Sequence, residues 1–261
     1  MKLATWNVNS LGARMPRVLE FLEQQAPDVL CLQETKVEAA AFPADVLAEA
    51  GYVAAHHSAG RWAGVAVLAR DGLELTDVQA GLPGEPVPEE ARWVEATVGG
   101  VLRVASVYVV NGRAVDSEWF AQKLTMLDAM AQRAAALRAG GIPLLVTGDY
   151  NVAPADIDVY DTAAFAGSTH VTPVERDRLA SIMAAGDLVD AYRVLHPDEV
   201  GYTWWDYRQG HFHRKLGLRI DLALVSASLG SAVTDCGIRR DFRKGTKPSD
   251  HAPLVVEIAG L

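Results

Sequence analysis

The apolar positions along the chain follow two alternating patterns. Short runs rich in Val and Leu, bounded by Gly, Pro, Asn or Asp, have the length of buried strands. They predict strands at residues 2–7, 28–33, 63–70, 92–98, 101–109, 143–148, 218–225 and 253–258. Stretches in which apolar residues recur every three or four positions predict helices at residues 14–25, 43–50, 117–139 and 173–185.

Turn and cap residues refine this prediction. Gly99-Gly100 joins two predicted strands as a two-residue hairpin, so that this pair is antiparallel. Thr172 and Glu175 form a capping box at the start of the last helix, and Gly186 ends it. No low-complexity segment or long Ser/Gly linker interrupts the chain. We therefore predict one domain over residues 1–261, of the α+β class, in which helices cover sheets that pack on one another.

Composition is that of a compact protein with a large core. Half of the 261 residues are apolar, yet no apolar run approaches the roughly 20 residues needed to span a bilayer. Met1 leads directly into a strand-like segment without a secretory leader, so we expect a cytoplasmic protein that does not enter the membrane. Cys31 and Cys236 lie far apart, which favours free core thiols over a disulfide.

Charge is distributed unevenly. The formal net charge of −9 is unfavourable for a protein that binds the phosphates of nucleic acid. Between Asp206 and His251, however, nine Lys or Arg residues accompany five Asp residues, a local balance of +4 that leaves −13 for the remainder. This asymmetry suits a molecule with one phosphate-facing side, although a solvated charged surface would have the same composition.

Polar side chains lie at one end of four of the predicted strands, at the carboxyl end of three and just before the last. A single Asp or Asn in such a place is most often a turn former or a helix cap, but four such strand ends together indicate a shared site. Carboxylates that converge at sheet edges are the oxygen ligands that Mg²⁺ prefers. Two of the residues, Asp149 and Asn151, would point the same way in extended backbone, which suits activation of water beside a phosphate. The polar residues at the four strand ends are Asn7, Glu34, Asp149, Asn151, Asp250 and His251.

Nine short segments in order give the chain a specific signature. They are TWNVNS (5–10), LQETK (32–36), GVA (64–66), RW (92–93), VYV (107–109), GDYN (148–151), WWDYR (204–208), GLRID (217–221) and KPSDHAP (247–253). Together they resemble exodeoxyribonuclease III and the related apurinic/apyrimidinic endonucleases, within the endonuclease/exonuclease/phosphatase superfamily. The resemblance covers the whole chain. It implies a four-layer α/β sandwich of two packed, mixed, largely antiparallel β-sheets flanked by helices.

The resemblance implies a metal-dependent DNA repair nuclease. Such an enzyme hydrolyses the phosphodiester bond 5′ to an abasic site, and on double-stranded DNA it also acts as a 3′-phosphodiesterase and a 3′-to-5′ exonuclease. The implied cofactor is Mg²⁺, with Mn²⁺ as an alternative, bound as one or two ions. The implied partner is duplex DNA with abasic sites or blocked 3′ ends, and we expect the protein to act as a monomer.

Carried over position by position, the resemblance implies a role for each site residue. Glu34 corresponds to the principal metal ligand, with Asn7 and Asp250 as further ligands or outer-shell partners. Asp149 corresponds to the residue that aligns or deprotonates the attacking water. The other catalytic residues hold the scissile phosphate, stabilise its charge or orient a neighbour that does so, and they are Tyr108, Asn151, Asp221 and His251.

DNA contacts are expected from aromatic and basic residues around these motifs. Aromatic rings beside a basic side chain suit an unstacked nucleotide or a sugar without its base, although one of two adjacent Trp residues should face the core. His211 and the basic residues before Lys247 are further candidates for phosphate contacts, whereas His170 is interpreted as an ordinary core or surface histidine. The predicted DNA-binding residues are Arg92, Asn111, Trp204, Trp205, Arg208, Arg219 and Lys247.

Two departures from the family pattern and two alternative functions stay open. Val110 stands where the family usually has Pro, which predicts altered loop dynamics or substrate preference. Ala63 stands where relatives often carry a polar residue, which predicts a weaker DNA contact. One alternative is a superfamily phosphatase or lipid phosphodiesterase, acting on inositol phosphates or sphingomyelin, and the WWDYR segment argues against it. The other is a DNA-binding relative without turnover, and the intact catalytic set argues against that.

Overall fold

A computed structural model describes all 261 residues. Its strands are β1 (Lys2–Asn7), β2 (Val29–Gln33), β3 (Tyr52–His57), β4 (Val65–Arg70), β5 (Leu75–Ala80), β6 (Trp93–Val98), β7 (Leu102–Tyr108), β8 (Leu144–Asp149), β9 (Leu188–Asp190), β10 (Asp221–Ser226), β11 (Val233–Ile238) and β12 (Leu254–Ile258). Its helices are α1 (Leu11–Gln25), α2 (Ala44–Glu49), α3 (Glu118–Ala139), α4 (Pro173–Gly186), α5 (Ala191–Leu195) and α6 (His211–Arg214). Every predicted strand and helix is present.

The strands form two six-stranded sheets. The first sheet has the order β11-β12-β1-β2-β4-β3, and the second has the order β5-β6-β7-β8-β10-β9. All neighbours are antiparallel except one central pair in each sheet, β1 with β2 and β7 with β8. Helix α1 connects the first parallel pair, and α3 connects the second. The mixed, largely antiparallel sheets confirm the predicted fold class.

The four strands missed by the sequence prediction are β3, β5, β9 and β11, and these are the four edge strands of the two sheets. An edge strand is partly solvated, so it lacks the continuous apolar run by which a buried strand is recognised. The burial pattern of β5, in which every residue is at least partly exposed, is typical of this position. The hairpin between β6 and β7 is one residue longer than predicted, because Val98 pairs with Leu102 across residues 99–101.

Three apolar clusters separate four layers. One cluster fills the space between the sheets and includes Val67 and Val104. A second packs α3 and α4 against the outer face of the second sheet, and a third packs α1 and α2 against the outer face of the first. Cys31 and Cys236 are free thiols in the cluster between the sheets, where burial raises the pKa of both. No helix of the fold combines the length and apolarity that a membrane crossing requires.

The space between the sheets becomes polar towards one end. There Gln33 of β2 donates hydrogen bonds to the hydroxyls of Thr5 and Ser106, at 3.0 Å each. The Ser106 hydroxyl in turn donates to the carbonyl of Leu32 at 3.0 Å, which ties the two sheets together. These groups are buried, so each hydrogen bond satisfies an atom that would otherwise be costly to remove from water. They form the floor of the candidate site.

Candidate active site

The candidate site lies at the end of the inter-sheet space where both parallel pairs terminate. Side chains alternate along a strand, so Leu3, Thr5 and Asn7 of β1 share one face, which is the face turned to the second sheet. Tyr108 and Asp149 continue the inward rows of β7 and β8 in the same way. Asp221, the first residue of β10, pairs directly with Asp149 in the antiparallel register. Residues that are distant in sequence therefore meet at one sheet edge.

The centre of the site is a cluster of Glu34, Asp149 and His251, whose ligand atoms all lie within 4.8 Å of one another. The amide of Asn7 donates to both carboxylates, at 2.7 Å to Glu34 Oε1 and 2.9 Å to Asp149 Oδ2. Lys36 Nζ lies 2.7 Å from Glu34 Oε2. The structure thus brings together the proposed principal metal ligand, the proposed water-activating carboxylate and the proposed phosphate-stabilising histidine.

Two of the site residues have a left-handed backbone. Glu34 and Asn151 both have φ of 51°, a conformation that is uncommon for residues other than glycine and concentrates at functional sites. The extended arrangement that we predicted for Asp149 and Asn151 is therefore wrong. Instead β8 ends at Asp149, and the chain turns so that the Asn151 N–H donates to Asp149 Oδ1 at 2.9 Å. The turn brings both side chains to the site by a different route.

Gly148 explains how β8 can deliver Asp149 so close to β7. A Cβ atom at this position would lie 2.0 Å from the carbonyl oxygen of Val107, and its φ is 146°. Only glycine allows the backbones to approach this closely. The Gly of the GDYN segment is therefore required by the contact between strands, one residue before the catalytic candidate.

His251 is held between two carboxylates. Its Nδ1 lies 2.7 Å from Asp221 Oδ2, and its Nε2 lies 3.7 Å from Asp149 Oδ2. Burial alone would lower the pKa of His251, but the charges of Asp221 and Asp149 outweigh burial and raise the pKa to about 10. Near neutral pH the ring is consequently an imidazolium that faces the site.

Asp149 is also buried, and its surroundings favour the neutral form of its carboxyl group. Burial, followed by the charges of Asp221 and Glu34, raises its pKa to about 7, although His251 and the amide of Asn7 favour the ionised form. A carboxyl with a pKa near 7 is suited to accept a proton at physiological pH. The surroundings of the two residues thus suit Asp149 to accept a proton and keep His251 positively charged near neutral pH.

Tyr108 and Asn151 line the same cleft. Asn151 Nδ2 donates to the carbonyl of Val109 at 2.9 Å, and its Oδ1 accepts from Asn111 Nδ2 at 3.1 Å. The guanidinium of Arg92 lies 4.7 Å from the centre of the Tyr108 ring. Burial and the charge of Glu34 raise the pKa of Tyr108, so its hydroxyl remains a hydrogen-bond donor. The cleft has a volume of about 170 Å³.

The donor set of the site fits a hard divalent cation. Glu34 and Asp149 offer carboxylate oxygens, and the buried Asp221 Oδ1 has no hydrogen-bond partner. Asn7 turns its NH₂ group towards the carboxylates, and its Oδ1 accepts from the N–H of Asn9 at 3.0 Å. Asp250 accepts hydrogen bonds from Asn9 and from the indole of Trp204, at 3.0 and 3.1 Å. Asn7 thus contacts the carboxylate of Glu34 directly, whereas Asp250 is connected to it only through Asn9 and Lys36.

His170 is a site residue that sequence reasoning missed. It lines the cleft, its φ is 81°, and its Nδ1 lies 2.6 Å from the carbonyl oxygen of Asn151. Burial and the charge of Lys123 lower its pKa to about 3, so the ring is neutral. A lone histidine in a loop between an acidic turn and a helix gives no pattern that distinguishes it from an ordinary one.

Two of the predicted DNA contacts are wrong. Arg219 is fully buried, and its guanidinium lies 2.6 Å from Asp158 and 2.7 Å from Asp190, so it neutralises buried carboxylates below the site. Trp205 is buried and packs edge-on against Phe212. As the pleat predicts for adjacent residues, one of the two Trp rings faces inward and Trp204 lines the cleft.

The remaining predicted DNA residues are at least partly exposed or line a cavity. Asn111 lines the cleft, and Arg92 lines a groove of about 420 Å³ that continues from it. Lys247 and Arg208 are exposed, and Arg208 is paired with Asp206. Elsewhere in the basic stretch, Arg243 is buried and several other cations are paired with carboxylates, so fewer charges are free to meet phosphate than the sequence suggested.

The groove also contains aromatic residues that sequence reasoning did not select. Trp62 is 73% exposed, and the guanidinium of Arg113 lies 3.8 Å from the ring centre of Trp119. Exposed indoles beside guanidinium groups are a stacking surface for nucleotides. The residue that departs from the usual Pro, Val110, is buried in the cluster below α3, so packing anchors this loop.

Comparison with known proteins places the chain in one family. The Endonuclease/Exonuclease/phosphatase family model matches residues 4–251. Exodeoxyribonuclease III of Haemophilus influenzae is 33% identical, with 98% of this chain and 99% of that protein aligned. Among solved structures, the 3′ phosphatase NExo from Neisseria, bound to product DNA hairpin, is 39% identical with a TM-score of 0.95. The AP endonuclease from Archaeoglobus fulgidus is 34% identical with a TM-score of 0.94. Each of these two matches covers 99% of both chains.

Proposed function

This chain belongs to the endonuclease/exonuclease/phosphatase family, and from that premise we propose that it is a Mg²⁺-dependent DNA repair nuclease. The observation that carries the proposal is the convergence of Glu34, Asp149 and His251 within 4.8 Å at one sheet edge. The activities that we propose are incision 5′ to abasic sites, 3′-phosphodiesterase action and 3′-to-5′ exonuclease action on duplex DNA. Because Asn7 and His251, from opposite ends of the sequence, complete one site, we also propose that residues 1–261 act as one domain and as a monomer.

Each residue of the site has a defined part in the hydrolysis. Asp149 accepts a proton from the attacking water, whose oxygen forms the new bond to phosphorus while the bond from phosphorus to the 3′ oxygen breaks. The imidazolium of His251 and the donors of Tyr108 and Asn151 stabilise the negative charge that develops on the phosphate oxygens. Bound Mg²⁺, held by Glu34, would neutralise phosphate charge and favour departure of the 3′ oxygen. Mn²⁺ meets the same oxygen-ligand requirement.

DNA would run from the cleft into the adjoining groove. Trp62 and the stacked pair of Arg113 and Trp119 provide rings and a cation for the strand beside the scissile phosphate. Exposed Lys247 lies at the start of the KPSDHAP turn that carries His251, which places a cation near the same backbone. Such contacts read phosphates and shape, so we expect little preference for base sequence.

A cleavage assay with matched substrates tests the proposed function. We expect the protein with Mg²⁺ to cut an abasic duplex and to process a duplex with a blocked 3′ end, and to leave an inositol phosphate intact. EDTA should abolish both DNA activities, and Mg²⁺ in excess should restore them. Glu34→Gln should raise the Mg²⁺ concentration needed for half-maximal rate by about 10-fold or more, because one ligand charge is lost.

The outcomes separate the alternatives. Hydrolysis of the inositol phosphate without DNA cleavage would replace the proposal with a phosphatase or lipid phosphodiesterase. Tight binding of abasic DNA without cleavage in either Mg²⁺ or Mn²⁺ would instead indicate a DNA-binding relative. DNA cleavage that persists in EDTA would contradict the assignment of Glu34 to a metal.

His170 predicts which DNA substrate is preferred. Its neutral ring occupies the cleft beside Asn151, and the remaining space of about 170 Å³ accommodates a phosphate more readily than a phosphate with an extruded sugar. We therefore expect processing of 3′-terminal phosphates to exceed incision at abasic sites. His170→Gly, which also suits a φ of 81°, should raise the ratio of abasic incision to 3′-phosphate removal by about 10-fold, the effect of relieving roughly 1.4 kcal/mol of steric cost. An unchanged ratio of kcat/KM values would show that His170 does not select the substrate.

A further inference from the structure

A buried ammonium group lies directly behind the phosphate-facing wall of the cleft. Lys123, on α3, is fully buried, and its Nζ contacts the carboxylate of Glu175, near the start of α4. The same Nζ donates to the carbonyl oxygens of Asn151 at 2.6 Å and Asn111 at 3.2 Å. It also lies 3.0 Å from the Thr169 hydroxyl. One cation thus contacts three separate segments that line the cleft.

The carboxylate of Glu175 completes the arrangement from the helix side. Its Oε1 accepts from the N–H of His170 at 2.9 Å and lies 2.9 Å from the Thr169 hydroxyl. Its Oε2 accepts from the N–H and the hydroxyl of Thr172, at 3.0 and 2.7 Å, which is the capping box of α4. The acid that caps the helix therefore also fixes the loop that carries His170.

Gly112 shows how closely the loop fits over this pair. A Cβ atom at this position would lie 2.7 Å from Thr169 Oγ1 and 3.1 Å from Lys123 Cδ, and the φ of Gly112 is 89°. Only glycine allows the Asn111 loop to lie on the lysine stem. The carbonyl of Asn111 then meets the ammonium, and its side chain reaches Asn151 Oδ1 at 3.1 Å.

We propose that the buried pair of Lys123 and Glu175 positions Asn151, which donates to the phosphate, together with the cleft-lining residues Asn111 and His170. Lys123 and Glu175 are positioning residues, since neither lines the cleft. The inference rests on the proposed nuclease function. The pair acts on the phosphate side of the site. The metal side, at Glu34 and Asn7, is independent of the pair, because no hydrogen bond of Lys123 or Glu175 reaches those residues.

Replacing both Lys123 and Glu175 by neutral side chains tests their positioning role without leaving an unpaired charge in the core. Removing Lys123 alone would leave a buried unpaired carboxylate, which strongly destabilises a fold, whereas replacing both charges is often nearly neutral. We therefore expect Lys123→Met/Glu175→Gln to fold, because the oxygen of the new side-chain amide can still accept from the His170 N–H. Its kcat on DNA should fall by about 10²-fold, since a misplacement of roughly 1 Å has that effect on rate. KM for Mg²⁺ and the pH profile should stay unchanged.

Arg133→Met is the matched control. Arg133 lies on the same helix and pairs with the buried Glu95, away from the cleft. It should lower the melting temperature and keep kcat within about 2-fold of the wild type, as expected for a mutation away from the reacting groups. Thr169→Val is a milder variant of the network, because it removes the hydroxyl that lies within hydrogen-bond distance of Lys123, Glu175 and Asn111 but keeps both charges. It should lower kcat by about 5-fold without unfolding the protein.

The outcomes distinguish this inference from the proposed function. Cleavage by the wild type and by Arg133→Met, with a slow double variant, supports the positioning role. A folded double variant with wild-type kcat overturns it and leaves the nuclease function intact. If the double variant does not fold, a wild-type kcat for Thr169→Val overturns it equally. Absence of cleavage by the wild type overturns both.

Discussion

Asp149→Asn should lower kcat for DNA cleavage by about 10³-fold while the protein remains folded. The amide cannot accept the proton of the attacking water. The amide also has a single oxygen, so it can accept from only one of the two N–H donors that Asp149 satisfies in the wild type, those of Asn7 and of the Asn151 backbone. The expected loss is therefore one of turnover, to be measured as single-turnover cleavage of a 3′-blocked duplex in saturating Mg²⁺.

The stability of the same variant should fall less between about pH 4 and pH 8 than that of the wild type, in the absence of metal. Burial and the neighbouring carboxylates raise the pKa of Asp149 to about 7, so the ionised form is less favourable in the folded state than in the unfolded chain. The wild type consequently loses stability as pH rises from about 4 to 7, and the neutral amide avoids this loss. Thermal unfolding of both proteins at pH 5 and at pH 8 in EDTA measures the difference. A variant that loses as much stability over this pH range as the wild type would contradict the raised pKa of Asp149.

His251→Ala should lower kcat by about 10²-fold to 10³-fold, because it removes the cation that faces the phosphate oxygens. The wild-type activity should fall as pH rises towards about 10, where the imidazolium loses its proton. Because the pKa of His251 is raised in the folded protein, its pairing with Asp221 stabilises the fold fully below about pH 6.5, and this stabilisation is lost as pH rises through about 10.

Asp221→Asn tests whether Asp221 raises the pKa of His251. Asp221 makes the largest favourable contribution to the raised pKa, so the variant should move the alkaline limb of the pH profile downwards by at least about one unit, or about 1.4 kcal/mol of lost interaction. Titration of the ¹⁵N-labelled ring by NMR reports the pKa of His251 without metal or substrate. His213→Ala, at an exposed position in α6, is the control and should leave both profiles unchanged. A His251 pKa that stays near 10 in Asp221→Asn would contradict the assignment.

The sequence prediction was most successful for buried strands and capped helices. Every central strand was found, and the capping box of Thr172 and Glu175 is present as predicted. The edge strands were missed because exposure removes the apolar run on which the prediction depends. Glu175 of this capping box also pairs with Lys123, which lies 52 positions away in the sequence. No local sequence pattern reveals that contact.

The DNA contacts show the limit of residue-type reasoning. Arg219 and Trp205 have the chemistry of DNA-binding residues, but burial assigns them to the core. His170 has no sequence signal, yet it lines the cleft. Trp62 and Trp119 were not selected, although they line the adjoining groove and remain exposed. Whether a polar or aromatic side chain meets solvent depends on which elements cover it, and this is a property of packing between distant segments.

The sequence by itself determined the family, the fold class and the residue types of the site, because strand periodicity, caps and nine ordered segments are local properties of the chain. Only the tertiary structure decided how these residues act together. Asn7, Tyr108, Asp149 and Asp221 each continue the inward row of a strand, and they share one cleft because the two sheets face each other with both parallel pairs ending at the same edge. That closeness removes the carboxylates from water and sets the charges of Asp149 and His251, which no single segment could fix.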